Sequence, residues 1–206
     1  MLLTTLRRER VDADKRKKQI VQVVLALVAK HGADAVSTQL IADTIGFTQA
    51  AVFRHFPTKE ALWSAVMDWL EYQLEEVRQK ARAEATDQGI GVLQGIFLGH
   101  IALIERHPGL AKVIMSDHIR GQYPDLHRRF TMAHRKYEDE IRKALDAAAK
   151  SGQIPPKLDR RAATTLFLSV IQGLGFQFSI ARVLPSMPKD AAQVFVLLER
   201  ALGCAA

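Results

Sequence analysis

The sequence predicts an all-α protein, and three observations carry that reading. Apolar residues recur at helical spacing through most of the chain. No alternation of apolar and polar residues lasts long enough to make a strand. The prolines, and glycines such as Gly32, Gly46 and Gly152, fall between the helical patterns.

Residues 1–13 read as a polar, charged and frayed tail. The first helix is expected from about Asp14 to Lys30, where Ile20, Val23, Val24, Leu27 and Val28 form one stripe and His31-Gly32 ends it. Ser37 or Thr38 can cap a short second helix through Ile45. Gly46 then breaks the chain, and Thr48 can cap a third helix, Gln49 to His55. Pro57 stops that one, and Thr58 caps a long fourth helix with the stripe Leu62, Val66, Met67, Leu70, Leu74 and Val77. Longer helices are expected near 88–106, 109–120, 124–150, 159–183 and 189–203. The breaks between them are His107-Pro108-Gly109, Gly121-Gln122-Tyr123-Pro124, residues 151–156 and residues 185–188. The predicted architecture is a small N-terminal three-helix unit followed by a larger C-terminal bundle.

Charge is unevenly placed. The 206 residues carry a formal +7, of which residues 1–60 hold ten basic against six acidic side chains. A basic N-terminal quarter suits an anionic partner, nucleic acid or membrane surface. The single cysteine, Cys204, excludes an intrachain disulfide and a cysteine-based zinc cage, and fits a reducing cytoplasm. The apolar run at the N-terminus ends at Arg7-Arg8-Glu9-Arg10 and is too short for a signal peptide. Thr164 to Leu184 is long and apolar, but Ser169, Gln172, Gln177, Ser179 and Arg182 interrupt it. It reads as a buried or interfacial helix, with no membrane partner expected.

Two short helices around Gly46-Phe47 have the layout of a helix-turn-helix. Ile41 and Ile45 can pack against Val52 and Phe56, leaving Gln49, Ala50, Phe53 and Arg54 together on the free side. Glutamine suits bidentate readout of adenine, and small alanines allow close approach to thymine methyls. Ser37, His55 and Lys59 sit at helix ends, where hydroxyls, amides and cations meet phosphates. Lys15, Arg16, Lys17 and Lys18 add charge at the start of the first helix. Spacing alone fits a plain three-helix bundle equally well; the order of residues decides.

The run from Ser37 to Leu62, STQLIADTIGFTQAAVFRHFPTKEAL, closely resembles the DNA-binding signature of the TetR family of transcriptional regulators. That signature has a hydroxyl residue capping the second helix, Ile-Ala, Gly, a hydroxyl residue, an aromatic, His/Tyr-Phe, a small loop and Lys-Glu-x-Leu. Phe53 stands where the family usually has tyrosine, and Ala50 where glycine is common. The resemblance covers about residues 14–72, which it marks as the DNA-binding domain, and leaves 73–206 as an effector-binding and dimerisation domain. It implies phosphate contacts from Ser37, Thr48, His55 and Lys59, with Gln49, Ala50 and Ala51 nearest the base edges. It also implies a cytoplasmic homodimer, commonly a repressor, on a palindromic operator.

The resemblance further implies a small apolar or amphipathic effector in the C-terminal bundle. Candidates to line its site are Phe97, His100, Ile104, Met115, His118, Tyr123, His134, Phe167, Gln172, Phe176 and Gln177; each apolar one reads equally as core. A dimer face is expected from Leu166, Val170, Gly173, Leu174, Val194, Leu197, Leu198 and Leu202, whose apolar area exceeds what one subunit leaves exposed. Gly173 and Gly175 suit either close backbone approach at such an interface or a local kink. His100/His107 and His127/His134 are each seven apart and complete no recognisable metal set, so no metal and no cofactor is expected. No phosphate loop, nucleophile elbow or paired catalytic motif is present, and the chain is expected not to be an enzyme. A DNA-binding protein with no effector is the alternative, and a helical metal-dependent hydrolase a more distant one.

Overall fold

A computed structural model describes residues 2–180 and 187–204. Among the described residues there are ten helices and no strand. They are α1 (Leu2–His31), α2 (Thr38–Ile45), α3 (Gln49–His55), α4 (Lys59–Glu84), α5 (Ile90–Arg106), α6 (Gly109–Met115), α7 (Asp117–Gln122), α8 (Pro124–Lys150), α9 (Arg160–Ile180) and α10 (Met187–Ala201).

Hydroxyl caps set the short helices. Ser37 has extended backbone, and its Oγ accepts from the Leu40 amide at 3.1 Å. Gly46, at φ 75°, takes the left-handed conformation that ends α2. Thr48 Oγ1 accepts from the Ala51 amide at 3.2 Å, and Thr58 Oγ1 from the Ala61 amide at 3.0 Å. Each bond satisfies an amide that has no partner inside its own helix.

The structure departs from the expected elements in three places. The N-terminal stretch read as a frayed tail continues α1 back to Leu2, giving a helix of 30 residues. No glycine or proline stands between Leu2 and His31 to stop propagation. The single helix expected at 109–120 is two helices. Ser116 adopts extended backbone between them and caps α7 through the Ile119 amide at 3.2 Å. The last helix begins at Met187, so that the second half of the expected 185–188 break is helical; its first half, and the expected continuation of the 159–183 helix beyond Ile180, lie outside the described residues.

The chain divides into two compact units. The first comprises the residues up to Glu71 together with His107–Arg128; the second comprises Tyr72–Arg106 and the residues from Arg129 onward. The core of the first unit is Ile20, Val24, Leu25 and Val28 of α1, Ile41 of α2, Val52 of α3, Leu62 and Val66 of α4, and Leu110 and Val113 of α6, all buried. Here α6 lies directly on the α1 backbone. A Cβ added at Gly109 would stand 2.0 Å from the Leu25 carbonyl oxygen. Lys112 Nζ donates to the Ala29 carbonyl at 2.6 Å, satisfying an end group of α1.

In the second unit Phe97 is fully buried, with Phe167 and Phe195 at ring-centroid distances of 5.8 and 5.4 Å. Leu93, Ile96, Ile141, Leu145 and Ile171 complete that core. Among the described residues no helix is long and apolar enough to cross a membrane.

The α6–α1 approach yields a stability test. Gly109→Ala places a methyl group where a carbonyl already stands, so it is expected to destabilise by about 1–3 kcal/mol or more. Gly121, whose added Cβ meets nothing within 4 Å, serves as the control. Thermal unfolding of the two alanine variants should show a clear fall for the first only.

Candidate nucleic-acid interface

α2 and α3 are joined by the tight turn through Gly46, Phe47 and Thr48. Ile41, Ala42, Val52 and Phe56 are buried between these helices and α1. With Val52 turned inward, α3 presents Gln49, Ala50, Phe53 and Arg54 as its exposed face, while Ala51 and His55 are half-buried at its edges. Ser37 is half-buried; Thr48 and Lys59 are exposed at helix starts. A hydroxyl that accepts a cap bond still has its own proton to donate. Ser37 and Thr48 therefore each cap a helix and keep a proton to donate.

Two contacts here escape helical spacing. Gln49 Nε2 donates to Thr38 Oγ1 at 2.9 Å, tying the first residue of α3 to the first residue of α2. The Arg16 guanidinium lies 5.2 Å from the centre of the Phe47 ring, within cation–π range. The basic run of α1 thus meets the turn of the motif. His55 registers this: burial, then Arg54, Lys17 and Arg16 in turn, hold its imidazole below the ordinary value.

The candidate effector residues are divided between the two units. Met115 and His118 are exposed and Tyr123 is half-buried, all in the first unit; burial and Glu60 raise the Tyr123 hydroxyl. In the second unit Phe97, Ile104 and Phe167 are buried core. His134 is partly exposed, 3.5 Å from Glu138 and stacked on Phe130. Gln172, Phe176 and Gln177 are exposed. His100 is half-buried, its Nδ1 2.7 Å from the Tyr137 hydroxyl.

Beside Tyr137 stands a network that the sequence did not announce. Buried Arg78 donates through Nε and Nη2 to Glu75 Oε2 at 3.2 and 2.6 Å. Its guanidinium lies 5.7 Å from the Tyr137 ring centre. Gln79 and Lys136 also reach Glu75, and Arg82 bridges Glu75 to Glu140. Arg78 foremost holds the Glu75 carboxyl down at about 2.

Of the residues assigned to a dimer face, Leu166 and Leu197 are 41% and 61% exposed, and Phe176 and Val196 stand out beside them. Val170, Gly173, Leu174 and Val194 are partly buried. Leu198 and, just past the end of α10, Leu202 are 3% and 1% exposed because they join Phe195 in the core. They therefore belong to the core of their own unit rather than to its exposed apolar face. Gly175 would bring a Cβ within 3.1 Å of Ile104 Cδ1, whereas Gly173 faces open space. Among the described residues no three His, Cys, Asp or Glu side chains are grouped to hold a metal ion.

A three-helix head with a capped, outward-facing third helix and a cationic surround defines a helix-turn-helix DNA-binding protein. The family model for bacterial regulatory proteins of the tetR family matches residues 20–66. A nucleoid occlusion factor SlmA of Marinobacter nauticus is 30% identical over 141 residues, 68% of this chain and 69% of that protein. Two solved structures share the fold. The ketosteroid transcriptional regulator KstR2 of Mycobacterium tuberculosis has a TM-score of 0.75 at 16% identity, over 93% of this chain and 96% of that one. The regulator PfmR of Thermus thermophilus has a TM-score of 0.74 at 20% identity, over 88% and 94%. The chain belongs to the TetR family of bacterial DNA-binding transcriptional regulators.

The His100–Tyr137 pair makes stability depend on pH. Burial first, and then Arg78, hold the His100 imidazole at about 4 against an ordinary 6.5. An unfolded chain takes up this proton near pH 6.5 and the folded chain only near 4. The folded state therefore loses stability as pH falls through that window. His100→Gln is expected to show a shallower decline in melting temperature between pH 7 and pH 4.5 than the unsubstituted chain.

Proposed function

We propose that this chain is a ligand-responsive repressor that binds a palindromic operator as a two-fold dimer. The observation that carries the DNA half of this reading is the outer face of α3. Gln49, Ala50, Phe53 and Arg54 stand exposed there, with the Ser37 and Thr48 hydroxyls and the cations Arg16, Lys17 and Lys59 around them. Gln49 and Ala50 suit base edges, and the hydroxyls and cations suit phosphates.

Dimerisation is supported by the exposed Leu166 and Phe176 of α9 and Val196 and Leu197 of α10, apolar surface of the kind that a symmetric partner covers. A two-fold axis presents two α3 helices to one DNA face, about 34–36 Å apart or a multiple of that. For the ligand response, α4 is the connecting element. Its 26 residues span roughly 40 Å, from Lys59 to beyond the Arg78 network. A ligand that favours a shifted α4 would misplace α3, and by linkage DNA would weaken ligand binding by the same factor.

The 30% identical relative favours a second reading. It is a nucleoid occlusion factor, and this chain would then be a DNA-binding protein that works in nucleoid occlusion with no small-molecule effector.

Selection of bound DNA from a random pool tests the first reading. A palindrome holding two chains per site, by sedimentation of the complex, is expected. On that site Lys59→Ala should lower the slope of log affinity against log salt by about one unit. Gln49→Ala should instead relax preference at one position per half-site, by about 1–3 kcal/mol. Unchanged salt dependence in Lys59→Ala would displace α4 from the phosphates.

The two readings part at the ligand. A compound found by thermal-shift screening should bind less tightly when the operator is present. Equal affinity with and without operator, for every compound found, would favour the effector-free reading.

A further inference from the structure

We infer that Phe53 reads the 5-methyl group of a thymine in the major groove, giving the operator one methyl-dependent position in each half-site. This rests on the reading of α3 as the helix that enters the groove.

The outer face of α3 is not uniformly polar. Gln49 and Arg54 flank it, and between them Ala50 and Phe53, at i and i+3, form an apolar centre. Phe53 is 42% exposed, far out in solvent for a large apolar side chain. A phenyl ring neither donates nor accepts a strong hydrogen bond, so it can neither hold a phosphate oxygen nor pair with the polar atoms of a base edge. The 5-methyl group of thymine is the apolar feature that the major groove offers to such a side chain.

The backbone beneath the ring is held in place. Val52, its neighbour in sequence, is fully buried, and α3 is closed at its start by the Thr48 cap and at its end by the Phe56 amide bonded to the Val52 carbonyl. Ala50, one turn earlier, is too short to cover the ring. Gln49 is partly committed, through Nε2, to Thr38 Oγ1. The apolar centre therefore has a fixed place to meet the groove, which a base-reading contact requires.

The test uses the full chain and the DNA site that it selects from a random pool. Each thymine is replaced in turn by deoxyuridine, which removes the methyl and keeps the pairing. At one position per half-site the replacement is expected to weaken binding about fourfold, the value of burying one methyl-sized apolar group. Phe53→Ala, whose fold is checked by circular dichroism, should bind the thymine site with about the same loss and show no further loss with deoxyuridine. At that position, 5-methylcytosine should bind better than cytosine by a similar factor in the unsubstituted chain and equally in Phe53→Ala.

If no thymine has a penalty that disappears in Phe53→Ala, the inference is overturned. Uniform weakening of Phe53→Ala on all sequences also overturns it, and makes the ring a backbone contact. Failure to select any sequence overturns the reading of α3 as well, and so is distinguishable from failure of the methyl contact alone.

Discussion

An α-helix leaves its first four amides and its last four carbonyls without intrahelical partners. In a helix of seven or eight residues, such as α3 or α2, these end groups rival the bonded ones in number, and isolated helices of that length are marginal in water. The head of this protein depends on meeting that constraint. Ser37, Thr48 and Thr58 each supply an oxygen to an orphan amide, and Gly46 lets the chain turn at the end of α2. Burial of Ile41, Val52 and Phe56 then holds the short helices against α1. Because Val52 takes the inward position, the outward residues follow from the geometry of one helical turn. What the protein offers to DNA is set by what it must hide.

The same head concentrates like charge. Arg16, Lys17 and Arg54 act together on His55 and disfavour a further proton there. Cations so grouped repel one another in the free protein, and an anionic phosphate relieves that repulsion. The Phe47 ring under Arg16 offsets part of it by giving the guanidinium an electron-rich face. In the second unit the opposite arrangement holds. Arg78 is buried, and its charge is matched at once by Glu75, with Tyr137 beneath it. A buried arginine so paired does not imply added stability, since desolvation opposes the attraction. It does fix which rotamers can coexist around Tyr137 and His100.

The helical breaks were legible because their causes are local. Gly46, Pro57 and Pro124 act through their own backbone, and the Ser37 and Thr48 caps lie within three residues of the amides they satisfy. The division at Ser116 was not legible, because a serine inside a helical pattern is tolerated as readily as it caps. Spacing identified the outer face of α3 but not the Gln49–Thr38 bond, which joins residues eleven apart across a turn. In the C-terminal half, periodicity gathers Leu197, Leu198 and Leu202 onto one apolar helix without saying which side its own core covers; Leu198 and Leu202 point inward and Leu197 outward. Candidate effector residues were chosen by type, and residue type carries no information on which helices come together.

The seating of α6 on α1 bears on how such a protein can be taken apart. Gly109 lies against the Leu25 carbonyl, Lys112 closes the end of α1 at Ala29, and Leu110 and Val113 are buried there. The residues that complete the head therefore come from two stretches of chain separated by the second half of α4 and by α5. A fragment cut after residue 72 would bare an apolar strip of α1, although it keeps every residue of the helix-turn-helix. A chimera that grafts this head onto another regulator would have to bring residues 107–128 with it, or supply a foreign helix with a glycine where α1 must be met.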